Sequence, residues 1–177
     1  LGNPQNFTSL SHDQLVQGLL LPFVEILDAL HTLKILHRAI RPNNIFIDSS
    51  NQKLILGECF SYPEAYLQPI VFEPLERGFC IPEGRGQGLE SDDIYALGVT
   101  VVSCLLKKYP CEDKDKETIT LLKLNQGSYA CLTEQQTIPP LFQDLLKGML
   151  ADHPQERWSL RSTKLAVVPY LSLFNLP

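Results

Sequence analysis

The sequence His37-Arg38-Ala39-Ile40-Arg41-Pro42-Asn43-Asn44 decides the fold and function that we predict for this chain of 177 residues. Basic residues surround a small apolar residue, and two amides end the segment just before the apolar run Ile45-Phe46-Ile47. Loops next to regular elements often carry functional residues. The elements on either side of residues 37–44 therefore show what this loop belongs to.

A long helix is predicted before the loop, over residues 11–35. Ser11 and Gln14 have the spacing of a capping box, in which each side chain bonds the backbone N–H of the other residue. Pro22 lacks an N–H and should kink the helix. Apolar residues recur at steps of three and four, which indicates one buried helical stripe: Val16, Leu19, Leu20, Phe23, Ile26, Leu27, Leu30 and Leu33.

A β-hairpin is predicted after the loop, over residues 45–56. Two short apolar runs are separated by Asp48-Ser49-Ser50-Asn51-Gln52, whose residue types favour turns. Residues 57–90 follow with four prolines and with four glycines between Gly78 and Gly88. This composition predicts a long loop, and long loops in compact domains are usually functional or disordered.

Helices are predicted over most of the remaining chain. The helix at 91–106, capped by Ser91 or Asp92, is apolar nearly all round, which places it at the centre of a domain. Lys107–Glu117 is interpreted as a solvated loop and helix start. C-terminal helices are expected within 114–168. The fold class is therefore mainly α with a small β-hairpin, in a single domain over residues 1–177.

Composition excludes several classes of protein. The chain is 44% hydrophobic with a net charge of −5, which fits a globular core and argues against a disordered chain or a nucleic-acid partner. The longest apolar run, Leu19–Val24, is too short to span a membrane, and we find no signal-peptide pattern. The five cysteines contain no Cys-x-x-Cys pair or zinc spacing, which indicates a reducing compartment and a cytoplasmic location.

Residues 37–44 resemble the catalytic loop of protein kinases, in which His-Arg-Asp-Leu is followed by an Asn and then by a strand. In that family a long helix precedes the loop and a hairpin follows it. The resemblance covers residues 11–165. Three later motifs match in the family's order: Ile81-Pro82-Glu83 resembles Ala-Pro-Glu, Asp93-Ile94-Tyr95-Ala96-Leu97-Gly98-Val99 resembles the start of the buried central helix, and Asp152-His153-Pro154-Gln155-Glu156-Arg157 resembles a late Asp-Pro-x-x-Arg element.

The resemblance implies the large C-terminal lobe (C-lobe) of a kinase, a helical bundle around a buried central helix. We expect the small N-terminal lobe (N-lobe) to be absent from this chain, because no Gly-x-Gly-x-x-Gly precedes a strand and no Val-Ala-x-Lys strand is found. The glycines at 84–88 follow Glu83 and are interpreted as a linker. The resemblance assigns these segments: a long helix at 11–35, a catalytic-like loop at 37–44, a hairpin at 45–56, an activation-like segment at 57–83, a central helix at 91–106 and C-terminal helices at 114–168.

The same resemblance predicts that the catalytic residues have been lost. It places the carboxylate that orients the substrate hydroxyl at Ala39 and the metal-binding Asp at Gly57, while His37, Arg38 and Asn44 are retained. One amide cannot hold magnesium with a triphosphate, so we expect no cofactor and neither ATP nor Mg²⁺ binding. Glu58 is one residue late and would point to the opposite face of a strand, although a twisted loop would let it substitute.

Structural roles are also implied by the resemblance. Glu83 and Arg157 correspond to the family's buried ion pair. Asp93 is positioned to accept backbone N–H bonds from His37 and Arg38, while His37 and His31 are interpreted as core histidines. Arg38, which often clasps a phosphate in active kinases, is expected to meet a glutamate of the activation-like segment instead: Glu73 or Glu76.

We therefore predict a catalytically inactive protein kinase-like domain (pseudokinase) that acts as a protein-binding or scaffold and regulatory module. The alternatives are a phosphotransferase with atypical catalytic residues that needs an N-lobe not in this chain, and a fragment that is stable only with its missing N-terminal half. The expected partner is another protein or that N-lobe. In isolation we expect a homodimer through an uncovered apolar face near Ile45, Ile47 and Leu54. The alternative is a monomer, in which polar side chains such as Asn43 make that face less apolar.

Overall fold

The computed structural model describes residues 10–48, 53–57, 68–78 and 88–174, with the backbone alone from 169 to 174. These residues are mainly helical and contain one two-stranded antiparallel sheet, which confirms the predicted fold class. The elements are α1 (Leu21–Thr32), β1 (Ile45–Ile47), β2 (Leu54–Leu56), α2 (Leu75–Gly78), α3 (Glu90–Leu106), α4 (Lys116–Gln126), α5 (Ser128–Thr133), α6 (Pro140–Met149) and α7 (Leu160–Phe174).

The first helix is built in two parts. Ser11 N–H donates to Gln14 Oε1 at 2.8 Å and Gln14 N–H to Ser11 Oγ at 3.2 Å, so the predicted capping box is present. Gln14–Leu20 then forms a π-helix, and α1 ends at Thr32 rather than at residue 35. Pro22 has no N–H to donate, so it cannot take part in the regular hydrogen-bond pattern of the helix. The wider π-helical turns end just before Pro22, and α-helical hydrogen bonding begins there.

This helical stretch, Gln14–Thr32, has 19 residues and a mean hydropathy of 1.3, which is long and apolar enough to cross a membrane by length and composition. Its apolar stripe lies inside the protein, with Leu19, Phe23 and Leu27 completely buried. This burial is the property of a core helix.

The hairpin presents a different face from the predicted one. Ile45 pairs with Leu56 and Phe46 with Ile55. Ile45 is only 1% exposed, while Phe46 and Ile55 are 46% and 50% exposed. The prediction that Ile45 lies at an uncovered face is therefore wrong, because alternate residues of a strand face opposite sides and the buried set here includes Ile45.

Helix α3 is the buried centre of the bundle, as predicted, and thirteen of its 17 residues are buried. It begins at Glu90, and neither Ser91 nor Asp92 occupies the position before its first turn. The Asp92 carboxylate instead accepts the N–H of Leu89 at 2.9 Å from inside that turn. Asp92 is the third residue of the helix, and its side chain bonds the Leu89 N–H, which has no acceptor within the helix. Asp92 therefore does not precede the helix as its cap, which corrects the prediction.

Segments interpreted as loop contain further helical turns. Ile70–Phe72 forms a 3-10 turn and Leu75–Gly78 forms α2, within the stretch predicted as one long loop. The C-terminal helices α4 to α7 are present, and α7 continues past the predicted end at residue 168. One contiguous apolar core joins the first helix, α3 and the later helices, with Tyr95, Phe23 and Phe142 as its largest fully buried side chains.

Candidate functional site

Asp93 organises the start of the catalytic-like loop. Its carboxylate accepts the backbone N–H groups of His37 and Arg38, both at 2.8 Å, as the sequence predicted. The same carboxylate lies 2.9 Å from Nε2 of His31. Asp93 is in the first turn of α3, where the helix dipole favours a negative charge. The loop is therefore fixed to the central helix through two backbone bonds and a core histidine.

Arg38 is held inside the protein beside a glutamate. Its backbone adopts the left-handed conformation, with φ of 59°, and its Nη2 lies 3.8 Å from Oε1 of Glu73. Gly88 packs so closely that a Cβ there would lie 2.4 Å from Nη1 of Arg38. The expected meeting of Arg38 with a glutamate is thus observed with Glu73, and both side chains are buried.

Ala39 occupies the position that the resemblance gives to the catalytic carboxylate, and it is 1% exposed. Its N–H donates to Nδ1 of His37 at 3.2 Å, so His37 is bonded within the loop. Burial lowers the pKa of His37 below its ordinary value, and the nearby Asp93 charge partly opposes this shift. A methyl group at position 39 has no atom that can accept a proton from a substrate.

Asn44 is used to close the loop. Its side-chain Nδ2 donates to the backbone carbonyl oxygen of Ala39 at 2.9 Å, and the backbone carbonyl oxygen of Asn44 accepts the N–H of Gly57 at 2.9 Å. A Cβ added at Gly57 would lie 2.0 Å from Oδ1 of Asn44. The Asn44 amide therefore occupies the space that any side chain at position 57 would need.

No group of three or more His, Cys, Asp or Glu side chains with a metal-binding arrangement exists among the residues that the structure describes. Glu58, the candidate substitute ligand, lies outside them. The site built by Ala39, Asn44 and Gly57 therefore offers amide and backbone groups, and Mg²⁺ prefers carboxylate and phosphate oxygens.

A second polar cluster surrounds Arg157, and we name Glu76, Arg77, Asp92 and Arg157 the basal charge cluster. The Arg157 side chain has no exposure, and its Nη2 donates to both Glu76 oxygens at 3.0 and 3.2 Å. Its Nη1 lies 3.5 Å from Asp92 Oδ1, and Arg77 Nε donates to Asp92 Oδ2 at 2.7 Å. Burial raises the pKa of Asp92, and the charge of Arg77 partly opposes this shift.

The predicted partner of Arg157 was Glu83, which lies outside the described residues, so that pairing stays a prediction. The carboxylates observed against Arg157 are those of Glu76 and Asp92. Sequence reasoning named Glu76 only as a candidate partner of Arg38 and missed its contact with Arg157, because Pro82-Glu83 matched the family motif better.

Lys123 was also missed, because a lysine is normally on the surface. Its Nζ is buried and donates to the carbonyl oxygens of Ile70, Val71 and Glu73, at 3.1, 3.3 and 2.7 Å. The ammonium also lies 5.1 Å from the ring centre of Tyr95. Burial lowers the pKa of Lys123 to about 8. Lys123 thus holds the 3-10 turn Ile70–Phe72 against α4.

A cavity of about 420 Å³ lies beside the catalytic-like loop. One wall comes from Arg41 and Asn43, another from the 3-10 turn, and a third from Tyr109 to Lys116. The third wall is the stretch interpreted from sequence as a solvated loop and helix start. Its composition gave no sign of a cavity, because the wall forms only where distant segments meet.

The sequence is similar to those of known protein kinases. A family model for the "Protein kinase domain" matches residues 6–170. The chain is 28% identical over 149 residues to a calcium/calmodulin-dependent protein kinase kinase of Caenorhabditis elegans, covering 78% of this chain and 27% of that protein.

Two relatives from Synechocystis are similar as well. Serine/threonine-protein kinase C is 25% identical over 183 residues, covering 97% of this chain and 32% of that protein. Serine/threonine-protein kinase D is 32% identical over 101 residues, covering 50% of this chain and 20% of that protein. The chain thus spans about a third or less of the length of these relatives.

Proposed function

Because the chain belongs to the protein kinase family, we propose that it is a catalytically inactive kinase domain, a pseudokinase, which works as a protein-binding or scaffold and regulatory module. We assign its described elements to the large lobe of the kinase fold. The order of a long helix, the catalytic-like loop, the hairpin and a buried central helix supports this assignment. The activity and partners of the whole protein are part of the same proposal.

The observation that carries the proposal is the contact between Asn44 and Gly57. Kinase chemistry depends on positioning and on neutralising phosphate charge with metal ions. Here the side chain of Asn44 is bonded to Ala39 and fills the space beside Gly57, where the family has a metal-binding Asp. The metal ligands are therefore reduced to an amide that already serves the fold, and the base position holds a methyl group.

The pair formed by Arg38 and Glu73 supports a permanently set conformation. In active relatives the corresponding Arg often clasps a phosphate, which acts as a switch. Glu73 supplies a carboxylate against Arg38 without any modification, and Lys123 bonds the backbone carbonyls of Glu73 and of the 3-10 turn before it. A fixed surface of this kind suits recognition of a partner, because less conformational entropy is lost on binding.

The outer face of the hairpin is our proposed partner surface. Phe46 and Ile55 are directly opposite each other across the sheet and are half exposed, which makes a contiguous apolar patch. We propose that an N-lobe or another protein covers it, and that the isolated chain forms a homodimer through it. We also propose a cytoplasmic location, on the cysteine pattern of the sequence.

Sedimentation of the isolated chain tests the dimer. We expect a species of twice 20.0 kDa, and we expect Phe46→Ser with Ile55→Thr to give the monomer because the apolar patch is removed. The matched control is Leu165→Ser, which changes an exposed leucine on α7 and should leave the dimer intact. A single species near 20.0 kDa at every concentration would contradict the dimer.

A phosphotransfer assay tests catalytic inactivity. The chain and the natural full-length protein are incubated with radiolabelled ATP, with Mg²⁺ or Mn²⁺, and with a generic protein substrate. We expect no incorporation and no metal-dependent shift of the melting temperature by ATP, since a ligand that binds only the folded state would raise it. Ala39→Asp with Gly57→Asp should also leave the chain inactive, because the new carboxylate at position 57 would displace the Asn44 side chain.

The opposite outcome would establish the alternative, a phosphotransferase with atypical catalytic residues that needs an N-lobe. The relatives named above are protein kinases, so this alternative is a direct competitor. It requires incorporation by the full-length protein that Asn44→Ala abolishes and Asn43→Ala does not. Asn43 is the matched control because it is the neighbouring amide of the same loop and its side chain is exposed.

A further inference from the structure

Two cysteines face each other in a part of the molecule that the proposed function does not use. Cys111 lies in the turn after α3, and Cys131 lies in α5. Their Sγ atoms are 3.8 Å apart, and both residues are 2% exposed. We infer that Cys111 and Cys131 form a thiol pair that a peroxide converts into an internal disulfide, with Cys111 as the attacking sulfur and Cys131 as the resolving one.

The turn that carries Cys111 is fixed next to its partner. Cys111 has a left-handed backbone, with φ of 57°, and its N–H donates to Oε1 of Glu134 at 2.9 Å. Glu134 follows α5 directly, so it ties the turn to the helix that carries Cys131. The two sulfur atoms therefore need to move toward each other only from 3.8 Å to the disulfide length of about 2.05 Å.

The surroundings favour a thiolate on Cys111. The hydrogen bond between the two sulfurs and the positive charges of Lys114 and Lys123 lower the pKa of Cys111, while burial and the Glu134 charge oppose this shift. The net effect lowers the pKa of Cys111 below that of an ordinary thiol. The same hydrogen bond raises the pKa of Cys131, so the pair divides into one thiolate and one thiol.

The turn that carries Cys111 borders a cavity, although the two cysteines are themselves buried. Cys111 lines the open cavity of about 420 Å³ beside the catalytic-like loop. Cys104 provides the contrast within the same molecule, because it lies in α3 away from this cavity and burial raises its pKa to about 12. Cys111 thus combines thiolate character, which favours oxidation of a cysteine, with a neighbouring thiol and a place in the cavity wall.

The reaction balances with a peroxide as the oxidant. The Cys111 thiolate attacks one peroxide oxygen, the O–O bond breaks, and the sulfur becomes a sulfenic acid while the other oxygen leaves and takes a proton as water. Cys131 then gives up its proton and attacks the Cys111 sulfur, so the S–S bond forms, the S–O bond breaks and a second water leaves. Two thiols are oxidised by two electrons and the peroxide is reduced to water.

The disulfide would join the turn at Cys111 to α5. It forms in the wall of the cavity whose other sides carry Arg41 and the 3-10 turn Ile70–Phe72. In a reducing compartment such a bond is transient, and a cellular dithiol restores the pair by exchange. The oxidation state of two residues therefore sets the shape of one side of this cavity.

Peptide mapping after treatment with hydrogen peroxide tests the inference. The chain carries Cys59→Ser and Cys80→Ser, which removes the two cysteines outside the described residues. We expect a non-reduced peptide pair that links Cys111 to Cys131, lighter by about 2 Da than the two thiol peptides, and its loss on reduction. In the Cys131→Ser variant, dimedone should trap a sulfenic acid on Cys111.

Matched variants and a pH profile make the test decisive. Cys111→Ser should slow peroxide consumption about tenfold or more, whereas Cys104→Ser should leave the rate unchanged. In the chain that carries only Cys59→Ser and Cys80→Ser, the rate should rise with pH and level off at a lower pH than the rate of an ordinary thiol does, because the pKa of Cys111 is lowered. Thiols that stay reduced under peroxide, a Cys104 that reacts as fast as Cys111, or a link that forms only in denaturant would overturn the inference.

Discussion

The catalytic-like loop and the basal charge cluster both gather polar groups inside the protein, but they satisfy them in different ways. In the loop, Asn44 bonds the carbonyl of Ala39, and Asp93 bonds two backbone N–H groups. In the cluster, Arg157 meets the carboxylates of Glu76 and Asp92. The loop is thus held mainly by bonds to the backbone, and the cluster by ion pairs between side chains.

This difference shows which kinase residues a chain can lose without loss of its fold. A catalytic carboxylate at position 39 would be a buried charge, and a methyl group there costs the fold nothing. Removing Arg157 from the basal charge cluster would leave the buried Asp92 carboxylate with less opposite charge around it. We therefore expect the stability of the fold to depend strongly on the cluster and the loop to tolerate only changes that spare its backbone bonds.

The largest effect is expected at Arg157. Arg157→Ala should lower the free energy of unfolding by about 3–5 kcal/mol, because it leaves the buried Asp92 carboxylate without one of its two arginines. Urea unfolding followed by circular dichroism measures the change. The matched control is Arg161→Ala, an exposed arginine at the start of α7, which should change the value by less than about 0.5 kcal/mol.

A double-mutant cycle identifies the carboxylate that Arg157 needs. Glu76→Ala combined with Arg157→Ala should cost clearly less than the sum of the two single changes, because the two side chains are 3.0 Å apart. The same cycle with Glu83→Ala tests the pairing predicted from the sequence motif. Additive losses with Glu76 and coupling with Glu83 would assign the ion pair to Glu83 and contradict the cluster described here.

A smaller effect is expected in the loop, at Gly57. Gly57→Ala should destabilise the chain by about 1–3 kcal/mol, since its Cβ would overlap Oδ1 of Asn44 and force the amide away from the Ala39 carbonyl. In an Asn44→Ala background the same change should cost less, because only the closer approach to the Asn44 backbone oxygen, at 3.1 Å, remains. Thermal or urea unfolding of the four variants measures the coupling.

Gly18→Ala is the control for the Gly57 prediction. A Cβ at Gly18 has no heavy atom within 4 Å, and this residue lies in the helical stretch Gln14–Leu20. This change should be neutral or slightly stabilising, because alanine restricts the unfolded chain more than glycine does. Equal costs at Gly57 in the presence and absence of the Asn44 side chain would show that the two residues do not compete for space.

Much of the fold follows from the sequence, because its signals are local. The capping box at Ser11, the paired apolar runs of the hairpin and the apolar surface of α3 each lie within one segment. The π-helical turn before Pro22 and the helical turns within residues 70–78 were not predicted. These conformations depend on contacts with other segments, such as the bonds from Lys123 to the carbonyls of the 3-10 turn.

The same distinction between local signals and contacts of distant segments applies to the candidate site. Asp93 and the pairing of Arg38 with a glutamate were predicted, because the order of motifs placed them beside the loop. The roles of Glu76 and of the Cys111–Cys131 pair were not, because residues far apart in sequence meet only in the folded chain. The outward face of the hairpin was assigned to the wrong alternate residues, since two short apolar strands do not show which side faces the core.

The smallest expected effect is a dependence of stability on pH that comes from His37 in the loop. Burial lowers its pKa below the ordinary value of 6.5. The unfolded chain therefore binds a proton at His37 near pH 6.5, while the folded chain still holds it neutral. Its contribution is complete above pH 6.5 and is lost as the pH falls from 6.5 to the lowered value, by at most about 1.4 kcal/mol per pH unit.

His37→Asn isolates this contribution, because an amide oxygen can accept the Ala39 N–H in place of Nδ1 and carries no proton at these pH values. We expect the variant to lose less stability than the parent when urea unfolding is followed downward from about pH 7. Asp92 acts in the opposite sense, because its raised pKa makes the folded chain bind more protons in acid, but both chains share it. His153→Asn, at an exposed histidine, should keep the parent's slope; an equal slope in the His37 variant would show that His37 takes up its proton without opposing the fold.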